Sequence, residues 1–315
     1  MLSDRRSRHD RLSAALAGRA DADLPGPVRA PAVGVGGESG VVEIDGRPVF
    51  VKRIPVTRRE LDRPRSTANL FGLPVSAQYG IGGPSFNVWR ELAANLVVTD
   101  AVLAGETLAF PMLHHWRVLP GRPPIAQQHA DVEATAARFG GDAAVRRRLE
   151  ELAEARDSLV LFFEYVGDPL LDWLDEDPAG RAATLERQLT EITGFLRRHE
   201  LLHMDGHFGN LRSDGEQIYL TDFGLATSPR FELSDAERDF ADRHAGHDAD
   251  YAAMRLVNWL VTRLYGVPRE RFATRNEFVR RCAQGDIPPG PAADILARHA
   301  PAAARTNDVY WKLFE

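Results

Sequence analysis

The stretch from His203 to Ala226 concentrates polar side chains whose types and spacing could do chemistry. Asp205, Asn210 and Asp222 supply carboxylate and amide oxygens, and Mg²⁺ prefers such hard oxygen ligands. Between Asn210 and Asp222, residues 213–221 contain a turn cluster followed by a short apolar run, which predicts a tight hairpin. A hairpin of this length would bring Asn210 and Asp222 to one metal ion.

The same residues also have plainer explanations. Asp205 could cap a helix and Asp222 could end a strand, as isolated aspartates often do. His203 and His207 stand at i and i+4, a spacing that suits a metal site on a helix. The glycines within this segment indicate a loop instead, so a helical histidine pair is disfavoured.

The order His203-x-Asp205-x-x-x-x-Asn210, followed by Asp222-Phe223-Gly224, resembles the H-x-D-x-x-x-x-N…D-F-G pattern of the protein-kinase-like superfamily. The resemblance implies ATP and Mg²⁺ as cofactors and phosphoryl transfer as the reaction. It implies that Asp205 faces the attacking hydroxyl and that Asn210 and Asp222 bind Mg²⁺.

A glycine-rich segment, residues 32–42, precedes a predicted hairpin with the turn Asp45-Gly46 and the lysine strand that ends near Lys52. Glycine allows the backbone N–H groups of a turn to approach phosphate oxygens closely. The segment resembles the kinase glycine-rich loop, although it is one residue longer than the family pattern. The resemblance assigns nucleotide contacts to its four glycines, which are Gly34, Gly36, Gly37 and Gly40.

Lys52 is one of only two lysines, with Lys312, among 39 basic side chains. Because nearly every basic position of this chain is arginine, a lysine at position 52 indicates a need for a compact ammonium group. In the superfamily this lysine contacts the α- and β-phosphates and is held by a glutamate on a helix. Glu91, on a helix predicted from Phe86 to Asn95 with Ser85 as N-cap, is the first candidate for that partner, and Glu60 is its competitor.

The resemblance predicts an α+β, two-lobed protein-kinase-like fold, with an antiparallel sheet in the N-lobe and a mainly helical C-lobe. Residues 31–166 are the predicted N-lobe, with insertions at 55–84 and 121–157, of which the second holds two helices. Residues 167–315 are the predicted C-lobe, and residues 1–30 are a polar helix or tail.

Residues 158–167 resemble the last N-lobe strand and the hinge, which implies that Glu164 and Val166 meet the adenine edge through their backbones. In the C-lobe, apolar residues from Leu185 to Leu196 recur at helical spacing. A capping box begins at Ser234, and an apolar helix is predicted from Tyr251 to Leu264. Asp248 or Asp250, at the start of that helix, could fix the catalytic loop.

The phosphate acceptor is indicated by His207, two residues after Asp205, because this loop resembles that of aminoglycoside and choline phosphotransferases. A small-molecule acceptor is the first expectation, with an aminoglycoside-like compound, a nucleoside or another natural product as examples. Two roles are open for His207: contact with the γ-phosphate, or support of the loop through backbone hydrogen bonds. An atypical serine/threonine protein kinase and a nucleotide-binding pseudokinase scaffold are the alternatives.

Composition sets further expectations for partners and compartment. The 315-residue chain is 44% hydrophobic, carries a net charge of −6 and has one cysteine, Cys282. The charge implies no general attraction to nucleic acid or to an anionic membrane, and the N-terminus lacks the apolar core of a signal peptide. A single cysteine suits a reducing cytoplasm, so we expect a cytoplasmic enzyme.

Overall fold

The computed structural model describes residues 2–24, 29–34 and 36–314. Its internal contacts divide the chain into two compact units. The first comprises Met1–Val166 and Thr221–Asp242, and the second comprises Gly167–Leu220 and Arg243–Glu315. The chain is α+β, with a five-stranded antiparallel sheet in the N-terminal part followed by a mainly helical C-terminal region.

The first unit is built on this sheet, in which every pair of neighbouring strands is antiparallel and the order is β1-β2-β3-β5-β4. Its strands are β1 (Arg29–Gly34), β2 (Gly37–Ile44), β3 (Arg47–Val56), β4 (Leu113–Pro120) and β5 (Asp157–Glu164). The predicted Asp45-Gly46 turn joins β2 to β3, with φ angles of 49° and 73°. Positive φ at both positions matches the hairpin turn that follows the twist of paired strands.

Helices cover both faces of the sheet, which explains why β5 reads as a continuous apolar run. The helices of the first unit are α1 (Leu2–Ala17), α2 (Arg58–Leu61), α3 (Val88–Ala104), α4 (Val132–Ala137), α5 (Ala143–Glu154) and α8 (Asp235–Arg243). Leu12 and Leu16 of α1 pack in one cluster with Phe162 of β5. Trp89 and Leu92 of α3 pack in the cluster that contains the other face of β5.

The second unit is mainly helical. It contains the short strands β6 (Asp168–Pro169), β7 (Leu211–Ser213) and β8 (Ile218–Leu220), and the helices α6 (Leu170–Glu176), α7 (Pro178–Arg198), α9 (His247–Leu264), α10 (Phe272–Ala283) and α11 (Ala293–Phe314). Helix α9 contacts α7, α10 and α11. The amphipathic helix predicted around Leu185–Leu196 is confirmed as part of α7, and its apolar residues are buried. The predicted hairpin after Asn210 is also confirmed, with β7 paired to β8.

The predicted start of α3 is wrong, and the cause is physical. The N-cap of α3 is Asn87, whose side-chain oxygen accepts from the Trp89 amide at 2.9 Å, and not Ser85. Residues 221–242, which the sequence placed in the predicted C-lobe, group with the first unit by their internal contacts. One of these contacts is the buried ion pair between Arg90 of α3 and Glu237 of α8. Of the two alternatives for the N-terminal segment, a polar helix or a tail, the structure has the helix over Leu2–Ala17, and Leu12 and Leu16 of that helix pack in the core.

One further sequence prediction is confirmed. The insertion at 121–157 holds two helices, α4 and α5, separated by Gly140 and Gly141, whose φ angles are 69° and 75°. Within the part of the chain that the structure describes, no helix is both long and apolar enough to cross a membrane.

Candidate active site

Lys52, near the middle of β3, is buried between two carboxylates of the first unit. Its ammonium Nζ lies 2.7 Å from Glu91 Oε1 on α3 and 2.7 Å from Asp222 Oδ1. Burial alone would lower the pKa of Lys52, but the charges of Asp222 and Glu91 and their hydrogen bonds outweigh it and raise the pKa. The lysine is therefore held in its charged form. The Asp222 side chain beside it is 40% exposed, so its carboxylate can be reached from solvent.

Glu91, not Glu60, is the residue beside Lys52. Glu91 is buried on the first turn of α3, where burial raises its pKa and the Lys52 charge opposes that shift. Glu60 instead forms a fully buried ion pair with Arg148 of α5, at 2.8 Å. The choice that the sequence left open depends on which helix packs against β3, and α3 is that helix.

The glycine-rich turn lies between β1 and β2, and its residue Val35 falls outside the described residues. A Cβ atom on Gly36 would lie 3.0 Å from Lys52 Nζ. At Gly37, φ is +110° and a Cβ atom would lie 2.1 Å from the Arg53 carbonyl oxygen. Gly34 has open space around it, and Gly40 lies opposite Val51 in the β2–β3 pair. The need for glycine is therefore strongest at Gly36 and Gly37, nearest to the lysine.

Replacing Gly37 with alanine is expected to destabilise the first unit by at least 1 kcal/mol, since left-handed backbone strain and a backbone clash act together. Thermal unfolding of the purified protein measures this effect. Gly34→Ala, three residues away in β1 with nothing within 4 Å of its new methyl group, is the matched control. Equal unfolding midpoints for the two variants would contradict this account of the turn.

The loop of the second unit that begins at His203 is fixed by Asp248, at the start of α9. Its carboxylate accepts the backbone N–H groups of His203 at 2.7 Å and Met204 at 2.9 Å. Burial alone would raise the pKa of Asp248, but its hydrogen bond with His247 and the charges around it lower the pKa overall. Asp250, the other candidate, is exposed. Asp248 is therefore the residue that holds this loop.

Asp205 and Asn210 are brought together by a short turn of 3₁₀ helix over Phe208–Asn210. The Asn210 amide Nδ2 donates to the Asp205 backbone oxygen at 2.9 Å and to its carboxylate Oδ2 at 3.2 Å. The Asp205 N–H donates to the buried His203 ring at 3.2 Å. Two of these contacts fix the backbone of Asp205, and the contact from Asn210 to Oδ2 reaches its carboxylate.

His207 takes part in the loop through both its backbone and its ring. Its N–H donates to the Asp205 carbonyl at 2.8 Å, and its own carbonyl accepts from the Asn210 N–H at 2.9 Å. Its ring Nε2 lies 3.8 Å from Asp205 Oδ2, and a Cβ atom on Gly209 would lie 2.8 Å from the ring. The supporting role of the backbone is thus present in the structure, and the role of the ring in phosphate contact stays a prediction.

Asp222, Phe223 and Gly224 form a tight bend in the first unit. Asp222 has φ of 65°, and its Oδ1 accepts the Gly224 N–H at 3.2 Å as well as the Lys52 ammonium. Phe223 is buried against Phe110, with ring centroids 5.9 Å apart. Asn210 belongs to the other unit, so the shared metal ion predicted for Asn210 and Asp222 stays a prediction.

The predicted metal site fits Mg²⁺ by its donor types. Among the described residues, no group of three or more histidine, cysteine, aspartate and glutamate side chains could hold a metal ion. One carboxylate, Asp222, and one amide, Asn210, are what the sequence pattern offers. Mg²⁺ usually takes only one or two protein ligands and completes its octahedron with water and substrate phosphate oxygens.

No protein-family model matches the chain, and no curated protein is similar to it at a significant level.

The predicted hinge contains a contact that sequence reasoning missed. Glu164, at the end of β5, binds the buried Arg5 guanidinium of α1, with its oxygens 3.0 Å from Nε and 2.8 Å from Nη2. Arg5 also donates to the Phe110 carbonyl at 2.7 Å. Arg5, Leu12 and Leu16 fall on one helical face, which was the signal available in the sequence. Val166 is half-buried and is the last residue of the first segment of the first unit. The adenine contacts of Glu164 and Val166 stay predictions.

Proposed function

We propose that this protein is an ATP- and Mg²⁺-dependent phosphotransferase of the protein-kinase-like fold, which moves the γ-phosphate to a hydroxyl group of a small molecule. The observation that carries the proposal is the Lys52 ammonium held by Glu91 and Asp222 at 2.7 Å each. A buried lysine on a central strand, paired to a helix glutamate and to the aspartate of an Asp-Phe-Gly bend, matches the arrangement of that superfamily.

The proposed roles follow from the chemistry of each group. Lys52 neutralises the α- and β-phosphates, Glu91 orients Lys52, and the backbone of the glycine-rich turn donates N–H groups to phosphate oxygens. Asp222 and Asn210 would hold Mg²⁺, which would supply positive charge to the phosphates. The backbones of Glu164 and Val166 meet the adenine.

The reaction is an in-line displacement. The acceptor oxygen forms a bond to the γ-phosphorus while the bond between that phosphorus and the β–γ bridging oxygen breaks, and ADP leaves. Asp205 orients the acceptor hydroxyl and takes its proton. Its hydrogen bonds with Asn210 and His203 hold it in place for this step.

The segment after Gly224 supports a small-molecule acceptor over a protein acceptor. Thr227 and Ser228 are 2% and 3% exposed, so neither is an accessible site for an activating phosphate. The next helix, α8, is fixed by the Ser234–Glu237 capping box and by the buried Arg90–Glu237 ion pair. Because Thr227 and Ser228 are buried and α8 begins at Asp235, this short segment offers little chain for seating a peptide.

Lys52→Arg is expected to lower phosphate transfer by about 10²-fold or more, although it keeps the positive charge. The Lys52 Nζ is contacted by two carboxylates at 2.7 Å each, and the larger, planar guanidinium cannot keep both contacts in the same geometry. The measurement uses γ-labelled ATP, Mg²⁺ and a source-cell extract, with label counted separately in small molecules and in macromolecules. Lys312→Arg, which changes the only other lysine, at an exposed position, is the control.

Label in small molecules that is lost in Lys52→Arg and kept in Lys312→Arg supports the proposal. Label in protein with the same dependence indicates an atypical protein kinase instead. Bound Mg·ATP without any transfer indicates a pseudokinase, and equal transfer by both variants removes Lys52 from the site.

A further inference from the structure

Three arginines of the second unit have no carboxylate partner among the residues that the structure describes. Arg255 lies on α9, Arg275 on α10, and Arg269 on the exposed connection between them. Several exposed arginines of this unit also lack an ion pair within the described part of the chain, but Arg255 and Arg275 are half-buried. Other arginines of the unit do pair with carboxylates, namely Arg181, Arg187, Arg263, Arg280, Arg281 and Arg298.

Arg255 lies against the catalytic loop. Its guanidinium carbon is 5.7 Å from the ring centroid of Phe208, which stands between Asp205 and Asn210. Arg255 is seven residues after Asp248, which is two helical turns, or about 10 Å, further along the same face of α9. The helix that fixes the catalytic loop therefore also presents a cation to it.

Tyr251, one turn before Arg255 on α9, indicates that Arg255 and Asp205 act on the same region. The pKa of the Tyr251 phenol is raised by burial, lowered by the charge of Arg255 and raised again by the charge of Asp205. Both charges therefore lie near enough to Tyr251 to act on its phenol.

Arg275 is the least satisfied member of the cluster. Its Nε is buried and, within the described part of the chain, has no hydrogen-bond partner, while its Nη1 donates to the Arg269 carbonyl at 3.2 Å. Burial lowers the pKa of Arg275, and the nearby charges of Arg255 and Arg269 lower it further. A buried donor without an acceptor costs free energy, and so does the repulsion among like charges. A bound anion would relieve both.

We propose that Arg255, Arg269 and Arg275 form an anion subsite that binds a phosphate, sulfate or carboxylate group of the acceptor. The proposal rests on the phosphotransferase function and specifies its substrate class as an acidic small molecule. Arginine is suited to this role because its planar fork binds such groups through two parallel hydrogen bonds. A polycationic aminoglycoside would be repelled here, so the aminoglycoside-like acceptor considered from the sequence is disfavoured.

An exposed aromatic pair borders the subsite. Phe272 and Trp311 are 51% and 39% exposed and pack edge to face, with ring centroids 6.4 Å apart. The Arg275 guanidinium lies 5.2 Å from the Phe272 ring centroid. These rings offer apolar surface for the carbon skeleton of an acceptor whose acidic group is bound by the arginines.

The first test measures anion binding without any catalysis, with inorganic sulfate as the probe. Sulfate is compared with chloride at matched ionic strength in thermal unfolding of the wild type, Arg255→Gln, Arg275→Gln and Arg187→Gln. Arg187, exposed on α7 and paired with Glu191, is the control. Because a ligand of the native state raises its unfolding temperature, we expect a sulfate-specific increase in the wild type and in Arg187→Gln. Its loss in the other two variants supports the subsite, and equal increases in all four proteins overturn it.

The second test separates the subsite from the proposed function. Acidic, neutral and cationic hydroxyl compounds are offered as acceptors with γ-labelled ATP. We expect transfer to an acidic compound, with the acceptor KM raised at least tenfold in Arg255→Gln and kcat changed less. Transfer to a neutral or cationic compound with an unchanged KM in Arg255→Gln overturns the subsite and leaves phosphotransfer intact. Sulfate binding that requires Arg255, without transfer to any acceptor, retains the anion site and overturns the proposed function.

Arg255→Lys covers the case in which Arg255→Gln does not fold. It keeps the charge and removes the planar fork. An intermediate acceptor KM in Arg255→Lys supports two-point binding by the guanidinium, whereas a wild-type KM overturns it.

Discussion

The Asp205→Asn variant is expected to transfer phosphate about 10²- to 10⁴-fold more slowly than the wild type while keeping its fold and its affinity for Mg·ATP. Asparagine has the same shape as aspartate, but its amide cannot take the proton of an acceptor hydroxyl. The Asn210 amide can still donate to the residue 205 backbone oxygen, a contact of 2.9 Å in the wild type. The initial rate of labelled phosphate transfer and the dissociation constant of Mg·ATP are the two measurements.

Asp250→Asn is the matched control for this experiment. Asp250 is an exposed aspartate in the same unit, at the start of α9, and the loop is fixed by Asp248 instead. We expect Asp250→Asn to transfer phosphate at the wild-type rate. A near-normal rate in Asp205→Asn would exclude Asp205 from proton transfer. Loss of Mg·ATP binding together with transfer would assign Asp205 a role in the structure of the loop.

The elements that could be predicted from the sequence are those whose signals are local. The Asp45-Gly46 hairpin depends on two adjacent residues that accept positive φ, and the Ser234–Glu237 capping box depends on residues three apart. The hairpin after Asn210 is of the same kind. Each forms as the sequence predicted because its stabilising contacts lie within a few residues.

The features that escaped prediction depend on residues far apart in the chain. Arg5 and Glu164 are separated by 159 positions, and neither position is marked by its neighbours as half of a buried pair. Asn87 caps α3 because its amide also reaches the Ser66 carbonyl at 2.7 Å, a tertiary contact that the local preference for Ser85 could not reveal. The unpaired state of Arg255 likewise follows only from knowing which carboxylates lie near it.

A buried network at the start of α3 gives the second prediction. The Arg148 guanidinium donates to both oxygens of the Glu60 carboxylate at 2.8 Å, and both side chains are fully buried. Glu60 also accepts the Thr57 and Val88 N–H groups at 2.9 Å each. Burial alone would raise the pKa of Glu60, but Arg148 and these hydrogen bonds lower it. The carboxylate therefore depends on Arg148 for its charged state.

Arg148→Met is expected to lower the free energy of unfolding by about 3–5 kcal/mol at neutral pH, because it leaves a buried carboxylate without its cation. Urea denaturation of the purified protein measures the change. Arg146→Met, on the same helix, breaks only the surface contact with Glu133 and is expected to be nearly neutral. Similar losses in the two variants would contradict the importance of the buried pair.

The pH dependence of Arg148→Met gives a sharper test of the same network. In the wild type, Glu60 has a lowered pKa, so its contribution to stability is present above the pKa of the unfolded chain and is lost as pH falls through the folded pKa. In Arg148→Met, burial becomes the dominant influence and raises that pKa, so the carboxyl takes up a proton at mildly acidic pH. The loss of stability relative to the wild type should therefore be largest at neutral pH and smaller in acid. Val88, whose N–H donates to Glu60, is the first residue of α3 and lies about one turn before Glu91. Arg148→Met is therefore also expected to weaken the ion pair between Glu91 and Lys52.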